Sequence, residues 1–83
     1  MNSDSQRMSG LLKTLINPLV NHPEDINIQP AEQGNTVVLE VRVNPEDMGK
    51  VIGKGGRRAE ALRTVMKAQA TRLGRRVVVD ILD

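Results

Sequence analysis

Eighty-three residues accommodate one domain with one core. With no cysteine, a single histidine (His22) and no aromatic residue, the chain excludes disulfides, thiolate metal sites and cysteine–histidine catalysis, and it lacks the aromatic platforms on which many modules stack bases. The net charge of +2 hides a gradient: residues 1–41 carry two basic and five acidic side chains, and residues 42–83 carry ten and five. Between Lys50 and Arg76, nine basic groups stand against Glu60 alone. Such a stretch is either a solvated helix face or a focused positive field that attracts a polyanion.

Residues 1–7 read as a flexible N-terminus, and residues 8–83 as the domain, with its core between 36 and 82. Met8, Leu11, Leu12, Leu15, Ile16 and Leu19 recur at spacings of three and four, which predicts an amphipathic helix capped by Ser5 or Ser9. Pro18 kinks or ends its last turn. The stretch Leu11–Val20 is interrupted by Lys13, Thr14, Asn17 and Pro18, so it cannot span a bilayer. No basic region precedes a continuous apolar run, as a secretory signal requires. A cytoplasmic location fits both readings and the missing cysteines.

A polar connection, Asn21–Asp25, leads to a short strand at Ile26, Ile28 and Pro30, whose proline suits a sheet edge or a strand end. After a turn at Glu32–Asn35, Thr36–Val43 is the clearest strand, with Val37, Leu39, Val41 and Val43 on one face. Asn44–Pro45–Glu46–Asp47 then reads as a helix start: Asn44 caps, Pro45 takes the first position and two acids meet the positive end. That helix is short, because glycines follow at 53, 55 and 56. A long helix from Arg57 to Leu73 carries Ala59, Leu62, Met66, Ala70 and Leu73 as its apolar stripe, with Val65 on one flank. Gly74 ends it, and Val77–Leu82 forms the last strand. Three strands with three helices over one face give a two-layer α+β sandwich. Val38, Val78 and Leu82 fall on the uncovered face, either as isolated surface residues or as a small interface.

The chemistry concentrates at Gly53-Lys54-Gly55-Gly56. Glycines allow φ > 0 and let a ligand touch the backbone directly. The unpaired N–H groups of the next helix point into the same region, beside Lys54, Arg57 and Arg58. A tight helix–helix turn is the plainer alternative. A nucleotide-hydrolysing P-loop does not fit, because Gly53-Lys54 is followed by Gly55 rather than Ser or Thr, and Met48 stands where the earlier glycine belongs. A dinucleotide fingerprint fails at Arg58, and the chain is too short for that fold. No carboxylate pair lies in surroundings suited to acid–base catalysis, and no metal or cofactor is expected.

Val51-Ile52-Gly53-Lys54-Gly55-Gly56, preceded by a strand and a short helix and followed by a long helix, resembles the I-G-x-x-G core of KH domains. The order α-β-β-α-α-β resembles the type II arrangement. Asn17-Pro18-Leu19-Val20, together with the run from Val43 to Arg57, resembles the bacterial KhpA family, the likeness extending over residues 8–82. The resemblance implies single-stranded RNA held by its phosphates at Gly53, Lys54, Gly55, Gly56, Arg57 and Arg58, with Ile52 and Val51 as an aliphatic floor. It implicates Val41, Arg42 and Val43 with Gly74, Arg75 and Arg76 as the opposite wall. It also implies a homodimer, a heteromeric complex with a larger KH protein of the KhpB/EloR/Jag type, and an RNA-chaperone or regulatory role in cell elongation and division. A dimerising adaptor that mainly binds protein is the rival reading.

Overall fold

A computed structural model describes residues 3–83. Helix α1 runs Asp4–Ile16, earlier than its apolar stripe suggests. Ser3 caps it: its Oγ accepts the Gln6 N–H and the Gln6 side chain returns to the Ser3 N–H, a reciprocal capping box. Residues 4–7, expected to be a flexible lead, are therefore the helix's first turn; residues 1 and 2 of that expected segment lie outside the described residues. Pro18 ends α1 as anticipated, and Asn17–Leu19 continues as a single 3-10 turn.

Strands β1 (Asn27–Gln33) and β2 (Thr36–Arg42) form an antiparallel hairpin about a two-residue turn in which Gly34 has φ 60°. Pairing with β2 carries β1 beyond its expected end, so Pro30 sits mid-strand opposite Leu39. It is tolerated there because β1 is an edge strand. The short helix α2 (Met48–Ile52) and the long helix α3 (Arg57–Arg72) then cross over to β3 (Arg76–Ile81), which pairs parallel to β2. The sheet order is β1-β2-β3, and the helices cover one face.

Alternation puts Val37, Leu39 and Val41 of β2 wholly inside, against Met8, Leu12 and Ile16 of α1 and Leu62, Met66 and Ala70 of α3. Each of these Val, Leu, Ile and Met side chains contributes about 1.5–3 kcal/mol by burial, and Ala70 less. No helix among the described residues is long and apolar enough to cross a membrane.

One charged group is enclosed with this core. Asp47 is fully buried, and its carboxylate accepts the Asn21 N–H at 3.1 Å and the His22 N–H at 3.0 Å, with Lys50 Nζ at 3.5 Å. Asn44 does cap as expected, its Oδ1 accepting the Glu46 N–H at 2.8 Å. Asp47, expected as one of two helix-start acids, also ties the entry to α2 to the α1–β1 connection. Burial alone would raise its pKa; the two N–H bonds and the charges of Lys50 and His22 outweigh that and hold it below its ordinary value of 3.8. The ionised form is thus favoured by folding, so its contribution to stability is complete above about pH 3.8 and disappears as pH falls through the folded-state value. Thermal melts from pH 6 down to 2.5 should show wild type losing its lead over Asp47→Asn in the acid range. A constant difference across that range would contradict this role.

Candidate nucleic-acid interface

The glycine loop owes its shape to three positive φ angles: Gly53 (φ 77°, ψ 173°), Gly55 (φ 65°, ψ 20°) and Gly56 (φ 76°, ψ 9°). The glycines serve different purposes. A Cβ on Gly53 would lie 2.6 Å from Arg58 Cβ and 2.9 Å from the Arg58 backbone nitrogen, so here glycine permits close packing of α2 on α3. At Gly55 and Gly56 no described neighbour lies within 4 Å of such a Cβ, and the backbone is open to solvent. No side chain caps the start of α3; the Gly56 N–H donates to the Gly53 carbonyl and the Arg57 N–H to the Lys54 carbonyl, which closes the loop onto the helix.

Gly53, Lys54, Arg57 and Arg58 border a shallow depression of about 390 Å³ with Ala61. Arg58 also has a structural task, since its Nη1 donates to the Lys50 carbonyl at the end of α2. Ile52 is half-buried beside the loop and lies outside the core cluster, as a groove-floor residue would. Val51 does not share that position: it is fully buried, and no base can reach it.

Two further depressions lie on a different face of α3, toward β3. One, of about 280 Å³, lies between Arg63 and Lys67 on the helix and Val77–Val79 on β3; the next, of about 390 Å³, includes Lys67, Thr71, Arg75 and Arg76. Lys67 and Val77 border both, so these two form one line between α3 and β3. The wall facing α3 is therefore β3. The expected wall at Val41, Arg42 and Val43 is corrected by strand order: β2 is central, flanked on both edges, and Val41 is fully buried. Arg42 is exposed opposite Asn27 of β1, on the sheet face away from the helices, and is not part of the line.

Arg75 is likewise reassigned. Its guanidinium bonds Asp4 at 3.2 Å, Glu32 and the Asn35 carbonyl, and its side chain is only 16% exposed. It braces the far end of the groove by joining α1, the hairpin and the α3–β3 turn. Arg76 remains exposed at the start of β3. Sequence reasoning missed Arg63 and Lys67, although an i, i+4 basic pair flanking the apolar stripe was there to be read. His22, Glu24 and Asp25 each place one potential ligand atom within 4.8 Å of the others. In that group His22 Nδ1 lies 3.7 Å from Glu24 and Nε2 3.4 Å from Glu46, while Asn44 Nδ2 donates to Asp25 at 2.9 Å.

The α-β-β-α-α-β order, the mixed three-stranded sheet and a G-K-G-G loop between α2 and α3 define a KH domain of type II. The solved structures agree on the fold. Era of Aquifex aeolicus bound to GDP and AlF4⁻ superimposes with a TM-score of 0.69 at 18% identity, covering 98% of this chain and 31% of that one. Era in complex with MgGDPNP and a 16S ribosomal RNA segment gives a TM-score of 0.61 at 21% identity, covering 89% and 28%. Residues 9–81 match the family described as "KhpA/KhpB, KH domain". The proteins named RNA-binding protein KhpA of Halalkalibacterium halodurans and Clostridium acetobutylicum are 46% and 47% identical, over 92% and 90% of this chain and the full length of each relative. That of Leifsonia xyli is 49% identical over 87% of this chain and 92% of the relative. The chain belongs to the bacterial KhpA family of KH-domain proteins.

Proposed function

We propose that the chain binds single-stranded RNA, without making or breaking bonds, along the groove between α3 and β3. The observation that carries this reading is an open glycine loop at the start of α3 together with a basic groove between the same helix and the edge of β3. Gly53, Lys54, Gly55 and Gly56, with Arg57 and Arg58, take the phosphates. Ile52 meets a base at the loop end, Arg63 and Lys67 line the middle, and Arg76 stands at the far end. The relatives named as RNA-binding proteins support the same reading.

A groove of about four nucleotides binds weakly on its own, so a second module raises occupancy through effective concentration. A homodimer, or a complex with a larger KH protein of the KhpB/EloR/Jag type, supplies it. In the cytoplasm such a complex acts as an RNA chaperone or post-transcriptional regulator, with cell elongation and division as its setting. The adaptor reading rests on a different observation: Val78, 48% exposed, lies beside Val38 on the uncovered sheet face.

Binding of a fluorescent oligoribonucleotide, followed from 50 to 300 mM KCl, tests the proposal. Two to four neutralised phosphates give a slope of log K against log salt of roughly −1.5 to −3. A salt-independent affinity would remove the charge-based account.

A further inference from the structure

One side chain in the groove bears on which base is accepted there. In a parallel ladder, alternate residues of an edge strand direct both backbone N–H and C=O away from their neighbour. The Arg76 N–H bonds the Asn35 carbonyl at 3.1 Å and the Leu82 N–H bonds the Val41 carbonyl at 2.8 Å, so the even-numbered positions of β3 face β2. Val77, Val79 and Ile81 therefore direct their backbone groups toward the groove. An outward N–H beside an outward C=O is a donor next to an acceptor. That pair complements adenine, whose ring nitrogen accepts beside an amino group that donates.

At Val79 the pair is incomplete. Arg63 Nε donates to the Val79 carbonyl at 3.2 Å, and Arg63 Nη1 lies 3.4 Å from Glu60 Oε1. The guanidinium is held from two sides while its side chain stays 42% exposed. With the carbonyl covered and the Glu60 carboxylate engaged by Arg63, side chain and strand turn mainly donors to the groove at this level, and Lys67 adds another one helical turn on.

We propose that Arg63 is a specificity-determining residue that makes the groove prefer guanine to adenine at the nucleotide lying against Val79; the inference rests on the RNA-binding reading above. Guanine presents O6 and N7, two adjacent acceptors for the N–H groups that Nη1 and Nη2 still have free. Adenine brings its amino donor against donors, and that group loses its partner.

The test uses fluorescence anisotropy of labelled uridine octamers carrying one central guanosine, adenosine, inosine or 7-deazaguanosine. Wild type should bind the guanosine octamer on the order of tenfold more tightly than the adenosine one. Inosine, which keeps O6 and N7, should behave as guanosine, and 7-deazaguanosine should lose part of the gain. Arg63→Ala uncovers the Val79 carbonyl and should abolish or reverse the guanosine preference, while affinity for the unsubstituted octamer falls only by the loss of one cation. Arg63→Lys keeps the charge and stem without the fork; it should also lose the preference, and it reports on the idea even where Arg63→Ala folds poorly. Equal, salt-sensitive binding of guanosine and adenosine octamers by wild type would overturn the role of Arg63 alone. So would a guanosine preference retained by both variants. Failure of wild type to bind any octamer would overturn the RNA-binding reading with it.

Discussion

Gly53→Ala should lower the melting temperature by about 10–20 °C, a larger effect than its neighbours in the loop. Its backbone, at φ 77° and ψ 173°, lies in a region that only glycine occupies freely, at a cost of about 1–3 kcal/mol for other residues. The added methyl also meets Arg58 backbone nitrogen at 2.9 Å, an atom fixed in the first turn of α3. The two effects together reach about 2–4 kcal/mol, and each kcal/mol shifts a domain of this size by roughly 4–8 °C. Gly56→Ala has its φ of 76° to overcome but no described neighbour within 4 Å, so its cost is only about 1–2 kcal/mol. Thermal denaturation followed by circular dichroism compares the two. A Gly53→Ala protein melting within 3 °C of wild type (a threshold well below the roughly 4–8 °C per kcal/mol) would mean that the close approach of α2 and α3 is not strained by a side chain.

The double substitution Lys54→Asp with Gly55→Asp should reduce RNA affinity by roughly 60-fold and leave the fold in place. It removes one positive charge and adds two negative ones where the proposed clamp would hold the phosphates. At about 5 Å in water each charge unit is worth roughly 0.8 kcal/mol, or about 2.5 kcal/mol for three. Gly55 tolerates the change because its φ of 65° and ψ of 20° are the left-handed values that aspartate adopts most readily among charged residues, and the space around it is open. Gly53 and Gly56 keep the loop's path. Anisotropy reads the affinity, circular dichroism the fold and sedimentation the assembly state. Affinity near that of wild type in the folded variant would sink the phosphate clamp. Loss of RNA with assembly intact would separate the clamp from the adaptor reading.

Much of this architecture follows from local patterns. The alternation of Val37, Leu39 and Val41 names the buried face of β2, and the Ala59, Leu62, Met66 and Ala70 stripe names that of α3, because burial has the period of the backbone. Asn44 and Pro45 mark the entry to α2 for equally local reasons. What was not legible depends on partners far away in the chain. Nothing local ranks β2 as the central strand, so the resemblance points to Val41, Arg42 and Val43 with Gly74, Arg75 and Arg76, whereas Val77–Val79 of β3 face α3. Arg75 looks like any other cation in a basic run until Asp4, 71 residues earlier, closes on it. Asp47 looks like a helix-start acid until the N–H groups of Asn21 and His22 meet its carboxylate. The Ser3–Gln6 capping box was readable, but it precedes the apolar stripe that drew attention to Ser5 and Ser9.

Pro30 has a consequence for how copies of this domain behave in a crowded solution. A strand carrying proline mid-length offers one fewer N–H to a newcomer, so β1 is a poor template for sheet extension. The opposite edge, β3, is the one that borders the groove. Strand-to-strand growth is therefore easier on the β3 edge, and on the proposed function RNA in the groove would shield that edge against aggregation.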